Sequence, residues 1–466
     1  MPRRFARAHG TEGLVERTHP PPRPRRVGGG TRACQDNLRG RLEAFADQVR
    51  GTRRIVRQAD ASQGTFGVLR LTSFRLLWYN TLGFILVQST QRFAFVWLVL
   101  ELGSKSDVSG RLLFVMGLPA LFISLPVGVM SDRVNRRMLL LLSQTGAFVV
   151  TLVTSLLVSA DRITTGSATL CAAVLGLFVA IGQPVRAAIV PTLVPPEHLM
   201  NAIIVSVVAS NLALILGPAI AGPAISRWGI EGAFWVQAVL YGVGFLALVP
   251  LKLPAMVPHT HRPSLRSELA TGVGFIVRHP DIRTLFILLT GSVIFMMSPW
   301  MVLGPQFARE EVAATGASAT FLYTLLGLGQ FVTSMWLLRN SHRVKQKGLW
   351  FMLALTTGAT VQILIGPAPS YLALALILFA WGLTGGFYLN LNQALLQGNT
   401  PPEVMGRVMS VHSLLMVGLA PMGALLIGYA ARHLRSLPET ISGTGAAMLV
   451  LVLVVLLTQR RFRTLS

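Results

Sequence analysis

Only two cysteines occur in the 466 residues, Cys34 in a polar stretch and Cys171 inside an apolar one. Neither has a neighbour at metal-ligand spacing, so a disulfide framework is excluded as the organising principle. Charge is scarce as well: Asp, Glu, Lys and Arg make up 13% of the chain, about half the share usual in soluble proteins. Acids are the scarcer sign, with 18 carboxylates against 41 Lys and Arg. The sequence has no G-x-x-x-x-G-K-S/T loop and no loop long enough for a nucleotide-binding domain, which disfavours an ATP-driven pump. It also has no His/Asp/Glu cluster at metal spacing and no nucleophile beside a base, so neither an enzyme nor a cofactor is expected.

What is abundant is apolar surface, at 52% hydrophobic residues. The first 70 residues carry 15 Lys and Arg and 6 Asp and Glu, which leaves 26 and 12 for the other 396. Residues 1–70 hold Pro20-Pro21-Pro22-Arg23-Pro24-Arg25-Arg26 and Gly28-Gly29-Gly30, too little apolar surface to offset ordering. They are expected to form a disordered, basic cytoplasmic tail, in which Leu42, Phe45 and Val49 suit a short amphipathic helix at the bilayer surface. A net charge of +23 could indicate a nucleic-acid partner. After position 70, however, the basic residues sit in short breaks between apolar runs, a distribution that fits membrane orientation better.

A hydrocarbon core of about 30 Å needs about 20 mainly apolar helical residues. Runs of that kind lie near 75–101, 110–131, 138–159, 166–190, 199–225, 231–250, 284–304, 318–338, 348–366, 370–396, 405–431 and 440–458. Twelve spans put both ends of the chain on one side. One set of breaks (Asp132 to Arg137, around Arg186, 251–283, 339–347, around Arg407, and Gln459 to Ser466) holds 17 Lys and Arg. The opposite set holds seven: Lys105, Arg111, Arg162, Arg227, Arg309, Arg432 and Arg435. The positive-inside bias makes the first set cytoplasmic. The expectation is a multi-pass protein of the inner or plasma membrane with both termini in the cytoplasm.

The chain repeats itself. Ser131-Asp132-Arg133-Val134-Asn135-Arg136-Arg137 follows the second span, and Ser341-His342-Arg343-Val344-Lys345-Gln346-Lys347 follows the eighth. Pro195-Pro196-Glu197 precedes the fifth span and Pro401-Pro402-Glu403 the eleventh. Two loop signatures at nearly one offset predict a duplicated six-span unit, the internal symmetry of secondary transporters. The fold expected is therefore an all-α membrane protein: twelve transmembrane helices in two pseudo-symmetric six-helix bundles, 71–250 and 284–466, joined by a cytoplasmic linker, 251–283.

Gly128-Val129-Met130-Ser131-Asp132-Arg133-Val134-Asn135-Arg136-Arg137 resembles the G-x-x-x-D-R-x-G-R-R/K loop of the major facilitator superfamily. Asn135 replaces the family glycine and is the next most tolerant residue for a left-handed turn. Pro184-Val185-Arg186, Pro191-Thr192-Leu193-Val194-Pro195, Asn201-Ala202 and Gly406-Arg407-Val408-Met409-Ser410-Val411 resemble the enterobactin and siderophore exporter branch of that superfamily. Gly217-Pro218 with Gly222 resembles the exporters' glycine-proline helix motif, a site for a helix kink, though the usual glycine pair is Ala221-Gly222 here.

The resemblance implies that Asp132 contacts the start of the eleventh span in the outward-open state and releases it when the cytoplasmic side opens, with Arg133, Arg136 and Arg407 as charge partners. Enforcing topology is the stronger reading for Arg136 and Arg137. The eleventh span begins Thr400-Pro401-Pro402-Glu403, read as a capping hydroxyl, a proline at the first helical position and an acid three residues after the cap.

Asn80, Phe84, Gln88, Arg92 and Phe95 recur on one face of the first span. A polar face in lipid is costly and should turn toward a water-filled cavity. Arg92 then either attracts an anionic or carbonyl-rich substrate or serves as a structural residue. Trp300, Gln330 and Tyr388 are further candidates for substrate contact. All 12 carboxylates after position 70 fall in loops or at span edges, so His412 and Glu101 are the candidates for exchanging a proton or other coupling ion. Together these features predict a monomeric secondary transporter that exports a small amphipathic compound (a siderophore, drug or metabolite) by alternating access. It would work as an ion-coupled antiporter with the lipid bilayer as its surroundings and no nucleic-acid partner. An importer, a lipid or lysophospholipid flippase, or a non-transporting receptor on the same fold are the alternatives.

Overall fold

The computed structural model describes residues 65–130, 135–195, 198–251, 253, 265–340, 343–434 and 436–459, without the side chains of 65–66, 124–130, 200, 265–268 and 402. The amphipathic stretch near Leu42, together with Asp132 and Arg133, lies outside these residues. After a 3-10 turn at Thr65–Arg70, the first bundle is α1 (Thr72–Glu101), α2 (Ser106–Met130), α3 (Arg136–Ser159), α4 (Thr165–Leu193) and a helical stretch Leu199–Leu248. That stretch is broken at Gly229, whose φ of 66° and ψ of −166° are non-helical, a conformation open to glycine alone without strain. Its two arms are α5 (199–228) and α6 (230–248).

The linker holds α7 (Leu265–Arg278). The second bundle is α8 (Pro280–Glu310), α9 (Gly316–Asn340), α10 (Lys347–Ile363), α11 (Tyr371–Gly398), α12 (Pro402–Leu434) and α13 (Leu437–Thr458). Among the described residues ten helical stretches have the length and composition of membrane spans; the stretch broken at Gly229 counts as two, and the 17-residue α10 completes a set of twelve, with large apolar side chains such as Phe122, Leu338, Leu426 and Leu457 facing outward.

The ends of the helices differ in charge. One end, called basic below, carries Arg136, Arg137, Arg278, Arg283, Arg339, Lys345, Lys347 and Arg407. The other, called acidic, carries Glu101, Asp107, Asp161, Glu231, Glu310, Glu311 and Glu439 together with Lys105, Arg111, Arg162, Arg227, Arg309 and Arg432, so its charges nearly balance. Three apolar cores follow the same division. On the acidic side, one core is shared by both bundles and runs from Phe95 and Trp97 through Val302 and Phe307 to Ile365, Ala424 and Ile441. On the basic side each bundle has its own core, one around Phe74, Leu140 and Leu248 and one around Leu285, Phe351 and Leu395. The bundles are fused at one end and part at the other.

Two local expectations are corrected. Asn135 has a φ of −57°, so it is not left-handed; it caps α3 by accepting the Arg137 N–H. Thr400 does not cap α12, because its hydroxyl donates back to the Leu396 carbonyl of α11 at 2.6 Å. The helix starts at Pro402, which keeps a proline at the first helical position, where its missing N–H has no cost.

Candidate functional site

Where the two cores part lies a cavity of about 540 Å³, within the size range of small-molecule sites. Its walls come from both bundles: Gln88 and Arg92 of α1, Gln183 of α4 and Pro218 of α5 on one side, and Trp300, Gln330, Trp381 and Tyr388 on the other. Helix α8 borders it with a π-helical turn, Val293–Met297. Such turns are common at functional sites because they re-aim side chains without ending the helix. Here Val293, Met296 and Met297 reach the cavity.

An aromatic group spans the bundles beside it. Phe93 of α1 meets Tyr323 of α9 edge-on at 5.2 Å between centroids and stacks on Trp97 at 5.5 Å. Trp300 lies 5.6 Å from Tyr323 and 6.2 Å from Trp381.

The cavity has one charged side chain among its lining residues, Arg92. Its guanidinium is exposed to the cavity and makes no hydrogen bond or ion pair with any described residue. Arg92 is nine residues before Glu101, so about 14 Å from the helix end, too deep to reach water by snorkelling out of the membrane. Gln88, half-buried beside it, donates to Gln91 at 3.3 Å. Gln330 lines the opposite wall. Tyr388 stacks on Phe351 at 5.6 Å, and its hydroxyl lies near Ser292 and Asn392 without a hydrogen bond of normal geometry.

Three residues of the same predicted face turn elsewhere, Phe84 among them, fully buried and edge-on to Tyr241 at 6.0 Å. Phe95 is fully buried within the first bundle, edge-on to Phe234 at 5.1 Å. Asn80 is fully buried, donates to the Gly244 carbonyl at 3.0 Å and accepts from Arg186 at 3.1 Å.

Arg186, which its flanking prolines assign to a break between spans, lies instead inside α4, which runs unbroken through Pro184 and Pro191. The side chain is 4% exposed. Nη2 donates to Gln144 at 2.7 Å, Nε to Asn80, and the guanidinium lies 3.6 Å from the centre of the Phe84 ring. Gln144 in turn donates to the Tyr241 carbonyl at 2.8 Å. The signal in the sequence was the pair Asn80 and Gln144, two buried amides in separate spans that need a partner.

The acidic end is held by an ion triad. Asp107 of α2 accepts from Arg432 of α12 at 2.6 Å and from Arg111 of its own helix at 2.8 Å. Directly beside it α2 and α12 run close together: a Cβ added to Gly110 would lie 2.7 Å from the Ala424 carbonyl oxygen. Glu101 accepts the Trp97 indole N–H at 2.7 Å at the exposed end of α1.

His412 is half-buried on α12, edge-on to Phe286 at 6.4 Å, and is not among the cavity residues. Gly217 brings α5 against α1, since a Cβ there would strike Ser89. Gly222 faces α9 at Ala317 and Thr320. The backbone keeps helical dihedrals through both and through Pro218, and Pro218 lines the cavity. At the basic end Arg136 donates to the Ala188 carbonyl at 2.9 Å and Arg137 to that of Val249 at 2.7 Å. Arg407 heads α12, whose first turns pack on α7 through Gly272. Gly128 is in the last turn of α2, and its surroundings are not described.

Two six-helix bundles fused at one end around a central cavity have the architecture of a polytopic membrane transporter. The chain belongs to the Major Facilitator Superfamily, whose family model matches residues 77–425. It is 28% identical over 357 residues to the Enterobactin exporter EntS of Escherichia coli O1:K1 / APEC, covering 74% of this chain and 82% of the exporter. The same protein from Escherichia coli O81 (strain ED1a) matches to the same extent. Among solved structures, a peptide transporter POT in complex with sulfate superposes with a TM-score of 0.65 at 15% identity, covering 87% of this chain and 97% of that one. The nucleoside transporter NupG gives 0.61 at 11% identity, covering 84% and 98%. These structural likenesses support the fold. The protein is a transporter rather than an enzyme.

Proposed function

We propose that this protein exports a small amphipathic compound carrying an anionic group and aromatic surface, with the basic end in the cytoplasm and an ion gradient as the energy source. The observation that carries the reading is the unpartnered Arg92 guanidinium in a cavity otherwise lined by neutral side chains, aromatic and aliphatic with a few amides and hydroxyls. Desolvating a cation without a partner is unfavourable, so a bound anion gains a charge-assisted hydrogen bond, and the rings of Phe93, Trp300, Tyr323 and Trp381 supply apolar contact. Likeness to an enterobactin exporter supports the export direction. With the positive-inside bias setting orientation, the fused end faces outward and the parted end receives substrate from the cytoplasm. Asp107 with Arg432 is the outer gate, while Asp132, Arg133, Arg136, Arg137 and Arg407 serve the inner one.

The test compares accumulation of candidate compounds in cells lacking the protein and in cells carrying it. The expected outcome is lower retention of an anionic aromatic compound, faster loss of it from preloaded cells, and loss of both effects in Arg92→Gln. Faster uptake rather than faster loss would overturn the export direction.

A further inference from the structure

We infer that the membrane potential, acting on the charge of the substrate itself, drives the export step, with no proton carried by the protein. This rests on the cavity reading above and specifies how the ion gradient does its work.

Arg92 places one fixed positive charge in the cavity, far from either membrane face, and no carboxylate stands among the lining residues. A monoanion bound there neutralises the site, so the charge that crosses the membrane when access switches is the substrate's own. Among the described residues, the three titratable groups nearest in character to a proton carrier, Asp107, Glu101 and His412, lie outside the cavity lining. Asp107 is shared between Arg111 of α2 and Arg432 of α12, the two charged groups that act on it. Glu101 is held by Trp97, and His412 sits against Phe286 outside the cavity. The ionisable side chains left at the cavity are the phenols of Tyr323 and Tyr388, a group that ordinarily titrates near pH 10 and so holds its proton throughout a cycle at neutral pH. Exchange of substrate for a proton in one site would require a group that titrates near neutrality in that site, and among the described residues the cavity has none. An anion leaving a negative interior is favoured about tenfold in steady-state ratio for each 60 mV.

The test uses the full chain reconstituted in liposomes, with 1-anilinonaphthalene-8-sulfonate as the probe. Potentials are set by potassium gradients with valinomycin, and pH steps are applied separately at zero potential. The expected result is a protein-dependent steady-state ratio that changes about tenfold per 60 mV and less than twofold for a pH step of about one unit. Arg92→Gln should abolish the flux, and Arg92→Lys, which keeps the charge, should retain its voltage dependence.

A ratio that changes about a hundredfold per 60 mV and also follows pH would show one-for-one proton exchange. A ratio that follows pH but not voltage would show a proton travelling with the anion. Either result overturns the inference and leaves the cavity reading standing. No protein-dependent movement of the probe, or undiminished flux in Arg92→Gln, would overturn the cavity reading itself.

Discussion

Arg92 and Arg186 place the same guanidinium inside the membrane within the same bundle, and their surroundings are opposite. Arg186 is wrapped by Asn80, Gln144 and the Phe84 ring and is 4% exposed. Arg92 opens into the cavity and meets only neutral groups across it. A charge in a low-dielectric interior must be solvated by something, or it destabilises the fold by several kcal/mol. For Arg186 the protein supplies that solvation permanently, tying α1, α3, α4 and α6 together. For Arg92 it is left to cavity water or a ligand. The comparison teaches that a membrane arginine tied to its own bundle by two hydrogen bonds and a ring face, even with Nη1 left unpaired, is part of the scaffold, whereas one facing a cavity without a partner is available to bind.

The largest effect that could break this contrast comes from Arg186→Met. It strands the Asn80 and Gln144 side chains without their shared donor and should lower stability by about 2–4 kcal/mol, seen as a fall in melting temperature of the purified protein. An unchanged melting temperature would show that the network is not a scaffold. Next comes Arg92→Gln, whose effect should fall on binding alone: about 10- to 100-fold weaker affinity for an anionic probe, from the loss of a charge-assisted contact worth about 1.5–3 kcal/mol, with stability changed by under about 0.5 kcal/mol.

A third guanidinium sharpens the comparison from the membrane edge. Arg432 is more than half exposed while its partner Asp107 is mostly covered, so Arg432→Ala should shift the balance toward opening of the acidic end by about 1 kcal/mol or less. Measured as labelling of Ser109→Cys, buried beside the pair, the rate should rise by up to about fivefold. The smallest effects belong to His412→Gln and Glu101→Gln. Both residues lie off the cavity, so both variants should leave the flux of an anionic probe within about twofold of the unchanged protein.

Much of this was legible in the sequence. Span lengths, charge asymmetry and the repeated loops of 131–137 and 341–347 suffice for twelve helices in two halves, because lipid forces every polar backbone group into a helix. Arg92 and Gln88 stand out for the same reason, as polar groups where only apolar ones are free of cost. The division of the polar face of α1 was not legible. That helix packs on its own bundle along one side and borders the cavity along the other, so Asn80 and Gln88, eight residues apart, end in different environments. Arg186 was hidden by its flanking prolines, which in a soluble protein mark a loop; in α4 their freed carbonyls are tolerated and the helix continues to Leu193. Asp107 looked like a loop residue until α12 brought Arg432 to it across 325 positions.

The most direct test of the account is a binding measurement with two probes that share one ring system, 1-anilinonaphthalene-8-sulfonate and the uncharged N-phenyl-1-naphthylamine. Each is titrated against the protein in uncharged nanodiscs and read by quenching of Trp300 and Trp381, with Trp300→Phe as the control for position. The account predicts that the unchanged protein prefers the sulfonate by about tenfold or more and that Arg92→Gln binds both alike. Equal binding by the unchanged protein, or a preference that survives in Arg92→Gln, would contradict it.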